Sequence, residues 1–221
     1  TGAVNVGDAV VCNTTAVELG LGTGGWHVVH WNLSRTEFVA PGPDHVMKLR
    51  YTSLQFDAGT SELEYPDLPT TIDGVPVVVC QVHSQVGVVV GTIAALRPGT
   101  RVAYVMTDGA SLPIALSDLV EDLRARDLLH TTITAGHAFG GDLEAVTVAS
   151  GLVLAHHVAG AEVIVVGMGP GVVGTGTKFG TTSVEAAAAL DVVDALGGIP
   201  VLCVRASDGD ARARHQGVSH H

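Results

Sequence analysis

Histidine and acidic side chains follow the points where several short apolar runs of this chain end. His83, Asp108 and His137 each come after such a run, and Asp208 comes after the last one. Imidazole and carboxylate groups together serve general acid–base catalysis or divalent-metal binding. We therefore take His83, Asp108 and His137 as candidate catalytic residues, and the same three with Asp208 as candidate metal ligands. A hydrogen-bonded structural role is the simpler interpretation of each histidine alone, and the identity of any cofactor stays unknown.

A glycine-rich segment, residues 167–180, is the most distinctive stretch of the chain. It contains six glycines and Lys178, one of only two lysines. Glycines let backbone N–H groups approach and hold an anion. The candidate ligand-binding residues are Gly169, Gly171, Gly174, Gly176, Thr177 and Lys178. The spacing is not that of a P-loop, and the next helix starts too late for a dinucleotide fingerprint. A purely structural crossover is the alternative.

The elements that must position these residues alternate between strand and helix from residue 75 onward. Short apolar runs rich in valine are typical of strands buried on both faces, and their alternation with helices predicts a parallel sheet. The predicted strands are residues 75–80, 101–106, 131–134, 162–166 and 199–204. A first helix follows the first strand and ends at residue 96, and three more are predicted over residues 113–128, 141–159 and 183–196. We predict an α/β fold with a Rossmann-like sheet of about five strands, in which ligands bind beyond the carboxyl ends of the strands.

Three helix details follow from the same pattern. Asp142 and Glu144 fall in the first turn of the predicted helix over 141–159, where the helix dipole favours acids. Thr182 with Glu185 predicts a capping box for the last helix. His156 and His157 are adjacent on one helix, so we do not expect them to face a common site.

The first third of the chain has a different pattern. Strand candidates at residues 4–12, 26–33 and 45–51 are separated by glycine and proline, which predicts a small antiparallel β unit. Residues 55–71 are polar and acidic and are interpreted as a linker. We predict two domains: a small β-rich domain with its linker over residues 1–73, and a parallel-sheet domain over residues 74–221.

Composition excludes several classes of partner. The chain has 221 residues and a net charge of −11, without a block of basic residues, so nucleic acid and anionic membranes are not expected to bind. No apolar run reaches the ~18 residues of a membrane span. Three widely spaced cysteines without a CxxC motif favour free thiols in a reducing cytoplasm. A small-molecule ligand and a homo-oligomer both remain open.

Long segments of the chain resemble a bacterial family that is known as a domain of unknown function. They are PDHVMKLRYT (43–52), YVMTDG (104–109), GHAFGGDLEA (136–145) and MGPGVVGTGTKFG (168–180). The resemblance spans nearly the whole chain and implies that His220 and His221 are native and that the full protein extends beyond both ends. It brings no activity, cofactor or catalytic residue. The composition, rich in arginine, alanine and valine, is typical of an actinobacterial source.

Three functional hypotheses follow. The first is a cytoplasmic enzyme acting on a small anionic or phosphorylated metabolite, with the glycine-rich segment and Lys178 holding the anion. In it, His137 and Asp108 form the acid–base pair, supported by His83. The second is a metal-dependent hydrolase that uses the histidine and aspartate set, with His215 or His220 as additional ligands. The third is a non-catalytic ligand-binding or interaction protein.

Overall fold

Two small antiparallel pairs of strands form the first part of the computed structural model, which describes residues 2–21 and 25–219. The pairs are β1 (Val10–Asn13) with β2 (Val28–Asn32) and β3 (Met47–Lys48) with β4 (Phe56–Asp57), and a single helical turn, α1 (Thr15–Glu18), follows β1. The predicted small β unit at the N-terminus is thereby confirmed.

A parallel sheet of six strands forms the centre of the molecule. In chain order its strands are β5 (Pro76–Cys80), β6 (Val102–Thr107), β7 (Thr131–Ala135), β8 (Leu143–Ala145), β9 (Val163–Met168) and β10 (Ile199–Cys203). Their order across the sheet is β10-β5-β9-β6-β7-β8, and every neighbouring pair is parallel. Five of the six correspond to predicted strands, and the α/β parallel-sheet class is confirmed.

Helices cover both faces of this sheet. They are α2 (Ser84–Leu96), α3 (Asp118–Ala125), α4 (Val148–His157) and α5 (Glu185–Ala195). Helices α2 and α3 pack on one face against Tyr104 and Met106, whereas α4 and α5 pack on the other against Val105 and Val166. Because both faces are covered, the inner strands β5, β9, β6 and β7 are mostly buried, as their apolar sequences predict.

The sixth strand corrects the predicted helix over 141–159. Residues Leu143–Ala145 pair with β7, and the helix begins only at Val148. Thr147 explains the late start, because its hydroxyl accepts a hydrogen bond from the Ser150 backbone N–H while the Ser150 hydroxyl accepts one from the Thr147 N–H. Asp142 and Glu144 therefore do not lie in a helical first turn, and that prediction is wrong.

Two other helix starts also differ from the predictions. The helix predicted over 113–128 is a 3₁₀ turn, Ile114–Leu116, followed by α3, because the Ser117 hydroxyl caps the backbone N–H of Val120. The last helix opens with a 3₁₀ turn, Thr182–Val184, and the Thr181 hydroxyl accepts from the Ser183 N–H. The predicted capping box of Thr182 with Glu185 is not formed, since the Thr182 hydroxyl lies against Met168 and Val173.

The connections diverge around β9. The chain leaves β5 into α2 on one face and leaves β9 towards α5 on the opposite face, although β5 and β9 are neighbours. Such a divergence leaves a crevice beyond the carboxyl ends of the two strands, where open α/β sheets bind ligands. Beyond β10, a last antiparallel pair, β11 (Ala206–Ser207) with β12 (Gly217–Val218), closes the C-terminal segment next to this crevice.

Residues between β3 and β5 cover the β8 edge of the sheet. The Ser61 hydroxyl and the Glu62 carboxylate accept hydrogen bonds from the backbone N–H groups of Glu144 and Val146. Ile72 is fully buried in the core beneath α5. The segment predicted as a linker is thus packed against the sheet, while the division into two domains stays a prediction. No helix within the described ranges is long and apolar enough to cross a membrane.

Candidate functional site

A cleft of about 310 Å³ lies at the divergence between β5 and β9. Three segments that follow neighbouring strands of the sheet form its walls. They contribute Val82 and Ser84 after β5, Val172, Gly174 and Gly176 after β9, and Arg205, Arg212, Arg214 and His215 after β10. We call this the arginine cleft. It lies at the carboxyl end of the sheet, where the sequence predicted a ligand site.

Asp210 holds two of the three arginines in place. Its carboxylate accepts hydrogen bonds from Nε and Nη2 of Arg212, both at 3.0 Å, and lies 3.5 Å from Nη2 of Arg205. Hydrogen bonds from Arg212 hold the pKa of Asp210 well below its ordinary value. Asp210 is therefore ionised at neutral pH, and it pairs with two of the three arginines that line the cleft. The cleft is positive in a chain whose net charge is −11.

His215 lies beside these arginines and is almost completely buried. Its Nδ1 lies 3.0 Å from Nη1 of Arg205 and 2.8 Å from the Ser219 hydroxyl. Burial and the neighbouring arginine charges lower the pKa of His215. Because a guanidinium group can only donate, Nδ1 accepts the hydrogen bond and the ring is neutral.

The glycine-rich segment folds into a hairpin that overhangs the cleft. Gly174 forms a backbone bridge to Thr181, and the Thr175 N–H donates to the Gly180 carbonyl at 2.7 Å. Of the predicted ligand-binding residues, Gly174 and Gly176 line the arginine cleft. The φ angle of Gly176 is +79°, a left-handed conformation that favours glycine.

The other predicted residues of this segment have different surroundings. Gly169 is buried and lies against Met106, and an added Cβ would lie 2.8 Å from the terminal methyl of that side chain. Gly171, Thr177 and Lys178 are exposed, and the Lys178 amine lies 5.5 Å from the centre of the Phe179 ring. The assignment of Gly169, Gly171, Thr177 and Lys178 to ligand binding stays a prediction.

His83 immediately precedes α2 and turns towards the face covered by α2 and α3. Its Nδ1 lies 3.2 Å from the Tyr104 hydroxyl and 3.1 Å from the Met168 carbonyl, and its Nε2 lies 2.7 Å from the Ser117 hydroxyl. Burial lowers the pKa of His83. Both ring nitrogens are thus engaged within the protein, which fits the structural interpretation of this histidine.

Asp108 lies in a second, mostly apolar cleft of about 240 Å³ on the other face of the sheet. Glu185, at the start of α5, lines the same cleft. Burial, with the nearby charge of Asp108, raises the pKa of Glu185. A carboxyl pair of this kind can divide acid and base roles between its members. Met168, the last residue of β9, also lines this cleft, whereas the segment that follows β9 lines the arginine cleft.

His137 lies on the loop after β7, beneath β3. Its Nε2 is 3.2 Å from Nη2 of Arg50. The Lys48 amine anchors this loop, because it donates to the carbonyls of Gly136 and Ala138 and lies 3.5 Å from the Glu144 carboxylate. An added Cβ on Gly136 would lie 2.9 Å from Cβ of Asp108, so the loops that carry Asp108 and His137 are in contact.

The candidate catalytic and metal-binding residues do not form one cluster. His83, Asp108 and His137 follow three strands of one sheet, yet each has different partners, and Asp208 is exposed after β11. Among the described residues, a different group of side chains has metal-ligand atoms close together: Asp73, His156 and His157. Each offers one ligand atom, and the three atoms lie within 4.8 Å of one another. The catalytic and metal roles of the sequence-derived set stay predictions.

The arginines of the cleft, Arg205, Arg212 and Arg214, were not among the residues chosen from the sequence. One signal was available: three of the 11 basic residues of an acidic chain fall within positions 205–214. Lys48 and Glu185 were also missed. Lys48 carried a weaker signal, since it is one of two lysines and falls within the predicted strand over residues 45–51.

The fold makes this protein an α/β protein with a central parallel sheet, helices on both faces and a cleft at the carboxyl end of the sheet. Within that class, the chain belongs to the family described as a protein of unknown function, DUF3866, whose model matches residues 1–221. This confirms the resemblance to a domain of unknown function. Neither a curated protein nor a solved structure matches the chain.

Proposed function

We propose that this protein binds a small anionic metabolite, bearing a phosphate or carboxylate group, in the arginine cleft. The observation that supports this most strongly is the convergence of Arg205, Arg212 and Arg214 with the glycine-rich hairpin at the crevice between β5 and β9. Guanidinium groups bind phosphate and carboxylate in a bidentate manner, which gives both affinity and orientation.

Two further features of the cleft suit an anion. The first residue of the 13-residue helix α2, Ser84, lies on the cleft wall, so the positive end of the helix dipole faces the ligand. The volume of about 310 Å³ is at the lower end of the range for small-molecule pockets, about 300–1,000 Å³. A compact ligand, such as a phosphorylated metabolite of a few carbons, fits this size.

The binding proposal is tested by titration calorimetry at low ionic strength with pyrophosphate, a sugar phosphate, citrate and uncharged glucose. Arg214→Gln is the first variant, because Arg214 is exposed and lines the cleft. We expect it to weaken binding of the anions by about tenfold to a hundredfold, since a charge-assisted hydrogen bond contributes about 1.5–3 kcal/mol. Arg97→Gln, an exposed arginine after α2 on the opposite rim of the sheet, is the matched control.

Lys178→Ala tests whether the positive charge that binds the anion comes from the arginines or from the glycine-rich hairpin. We expect Lys178→Ala to leave affinity within about twofold, because Lys178 is exposed and is not among the residues that line the arginine cleft. Equal affinity for glucose and for the anions, or equal losses in Arg214→Gln and Arg97→Gln, would overturn the proposal. A large loss in Lys178→Ala would place the anion on the hairpin instead.

We further propose that the protein binds its ligand in a reducing cytoplasm. The three cysteines form no disulfide, which supports this compartment.

We also propose that any catalysis uses Asp108 and His137, whose loops are in contact. With a ligand that calorimetry has identified, Asp108→Asn and His137→Ala are compared for turnover and for affinity. Loss of turnover with affinity retained supports catalysis, whereas no turnover in the unaltered protein supports the non-catalytic binding hypothesis.

A further inference from the structure

A second cluster of chemically competent side chains lies at the opposite end of the sheet from the arginine cleft. Asp73 comes just before β5, and His156 and His157 form the last turn of α4. The ligand atoms of these three side chains all lie within 4.8 Å of one another. None of them contributes to the proposed anion site, so the inference drawn from them is independent of that site.

The separation between Asp73 and His156 suits a shared ion better than a hydrogen bond. Nε2 of His156 lies 3.9 Å from Oδ2 of Asp73, which is too long for a hydrogen bond. A tetrahedral zinc ion with bonds of about 2.0–2.2 Å holds its ligand atoms about 3.4 Å apart. Small rotations of the two side chains are enough to reach that distance.

Adjacent residues on a helix were not expected to face one site, and the structure overturns this expectation. The two imidazole rings are 4.5 Å apart between centroids and inclined by 65°. His157 is the last residue of α4, and its ring turns towards the segment before β5, where Nε2 lies 2.7 Å from the Thr71 carbonyl. His156 and His157 therefore approach Asp73 together.

Neighbouring groups orient two of the three ligands, Asp73 and His157, as they do in known metal sites. The Thr71 hydroxyl donates to Oδ1 of Asp73 at 2.7 Å, which leaves Oδ2 towards His156. Because Nε2 of His157 donates to the Thr71 carbonyl, its Nδ1 has the lone pair that a metal requires. Nδ1 of His156 is buried and has no hydrogen-bond partner in the described part of the chain.

We propose that Asp73, His156 and His157 bind one divalent transition-metal ion of the zinc class. Two imidazole nitrogens and one carboxylate oxygen are the donors that zinc and its first-row neighbours prefer, whereas magnesium and calcium prefer oxygen alone. The cluster lies at the C-terminal, negative end of the α4 dipole, which also favours a cation. Three protein ligands leave a fourth position for water.

The bound ion would connect two elements that meet at this end of the sheet. The backbone N–H groups of Ile72 and Gly74 already donate to the carbonyls of Leu196 and Gly197, which fixes the segment before β5 to the end of α5. An ion held by Asp73 and the two histidines joins the end of α4 to the same segment. Because the ligands come together only in the folded chain, the ion raises the melting temperature by mass action.

The test uses the full chain, freed of metal with a chelator, and titrates it with Co²⁺ followed by visible absorption and with Zn²⁺ followed by calorimetry. The variants are His156→Gln, His157→Gln and Asp73→Asn. Asparagine suits position 73, where φ is +49°, because it tolerates left-handed backbone. The controls are His130→Gln, an exposed histidine outside the cluster, and the pair His220→Ser/His221→Ser, which removes the terminal histidines.

We expect one strong Co²⁺ site with visible bands that Zn²⁺ displaces, and a melting temperature that rises with Zn²⁺. Each cluster variant is expected to weaken binding about tenfold or more, and both controls to leave it unchanged. The melting temperature without metal shows that each variant is folded. The proposal fails if the cluster variants bind the metal as tightly as His130→Gln does, or if the loss occurs only in His220→Ser/His221→Ser.

Discussion

The chemistry of single residues in this protein depends on how each side chain is buried. His83 has an ordinary sequence context, but in the fold its ring lies between Tyr104, Met168 and Ser117. Its candidate role was inferred from its position after a predicted strand, and that position is correct. The burial that lowers its pKa comes from α3 and β9, which are distant in sequence, so no local pattern could reveal it.

Residue by residue, the glycines of the candidate site were easier to predict than the arginines. Gly174 and Gly176 stood out because their segment has an unusual composition, and they do line the cleft. Arg205 and Arg214 belong to an irregular C-terminal segment without periodicity. They reach the cleft only because β10 lies next to β5 in the sheet, which is a property of the topology.

The buried imidazole of His83 makes stability depend on pH. Its pKa in the folded state is below the ordinary value of 6.5, so on acidification the unfolded chain takes up the proton first. The stability conferred by the neutral ring is present above pH 6.5 and is lost as the pH falls below that value. We expect urea unfolding between pH 7.5 and 5 to show a smaller loss of stability for His83→Gln than for the unaltered protein.

At pH 7.5 the same substitution, His83→Gln, should cost about 1–3 kcal/mol, because hydrogen-bonding partners of the imidazole are left unpaired. The dependence on pH will not vanish entirely, since the pKa of His215 is lowered as well. His130→Gln, at an exposed position, is the control. Parallel stability curves for His83→Gln and the unaltered protein would contradict the assignment.

Element boundaries show where local sequence is sufficient and where it is not. Strands β5, β6, β7, β9 and β10 were found because each is a compact apolar run flanked by glycine, proline or polar residues. Strand β8 has three residues, Leu143–Ala145, and its neighbours also suit a helix. Pairing with β7 and coverage by Ser61 and Glu62 stabilise it, and these contacts join residues far apart in sequence.

The ion pair between Lys48 and Glu144 joins β3 to β8, and its lysine is buried. The Lys48 side chain is 1% exposed, and its amine donates to two backbone carbonyls of the His137 loop. Burial raises the pKa of Glu144, although hydrogen bonding to Gly140 and the charge of Lys48 oppose this. The two charged groups thus face each other at 3.5 Å in a region that excludes most water.

Removal of one member of this pair should cost more than removal of both. We expect Lys48→Met to lower the free energy of unfolding by about 3–5 kcal/mol, because it leaves the Glu144 carboxylate buried and unpaired. The deficit should grow as the pH rises above about 4.5, where the unfolded chain ionises this group more readily than the folded chain. Lys48→Met/Glu144→Gln should recover at least about 1 kcal/mol of the loss at pH 7.

Urea unfolding of the single and double variants at pH 5 and pH 7 measures these differences. Arg50→Met is a matched control, since Arg50 lies on the same segment but is exposed. A double variant less stable than Lys48→Met at pH 7 would show that Lys48 acts through its carbonyl contacts alone.

At the scale of the whole molecule, the two ends of the sheet have different chemistry. The carboxyl end has diverging connections and the three arginines of the arginine cleft, whereas the amino end has tight turns, Asp73 and the paired histidines. Clefts occur at both ends. The sequence predicted the first contrast, because the segments after the strands are polar and glycine-rich. It could not predict the strand order, in which β9 lies between β5 and β6, since that order depends on packing between helices.

The two edges of the sheet differ as well, and this leads to a prediction about stability. The β8 edge is covered by residues 60–62, whereas β10 forms the other edge, where Val201 and Leu202 are 43% and 40% exposed. Leu154 of α4 is fully buried against the sheet. We expect Leu154→Ala to lower the free energy of unfolding by about 2–5 kcal/mol, because it removes buried methyl groups and leaves a cavity.

Leu202→Ala removes the same atoms from the exposed edge and should cost no more than about 0.5 kcal/mol. Urea unfolding at a low protein concentration measures both variants, with equal slopes confirming that each unfolds in one step. A cost for Leu202→Ala as large as that for Leu154→Ala would mean that the β10 edge is covered in solution. Repeating the measurement over a range of protein concentrations then decides whether a second copy of the chain covers it, because only self-association makes that cost depend on concentration.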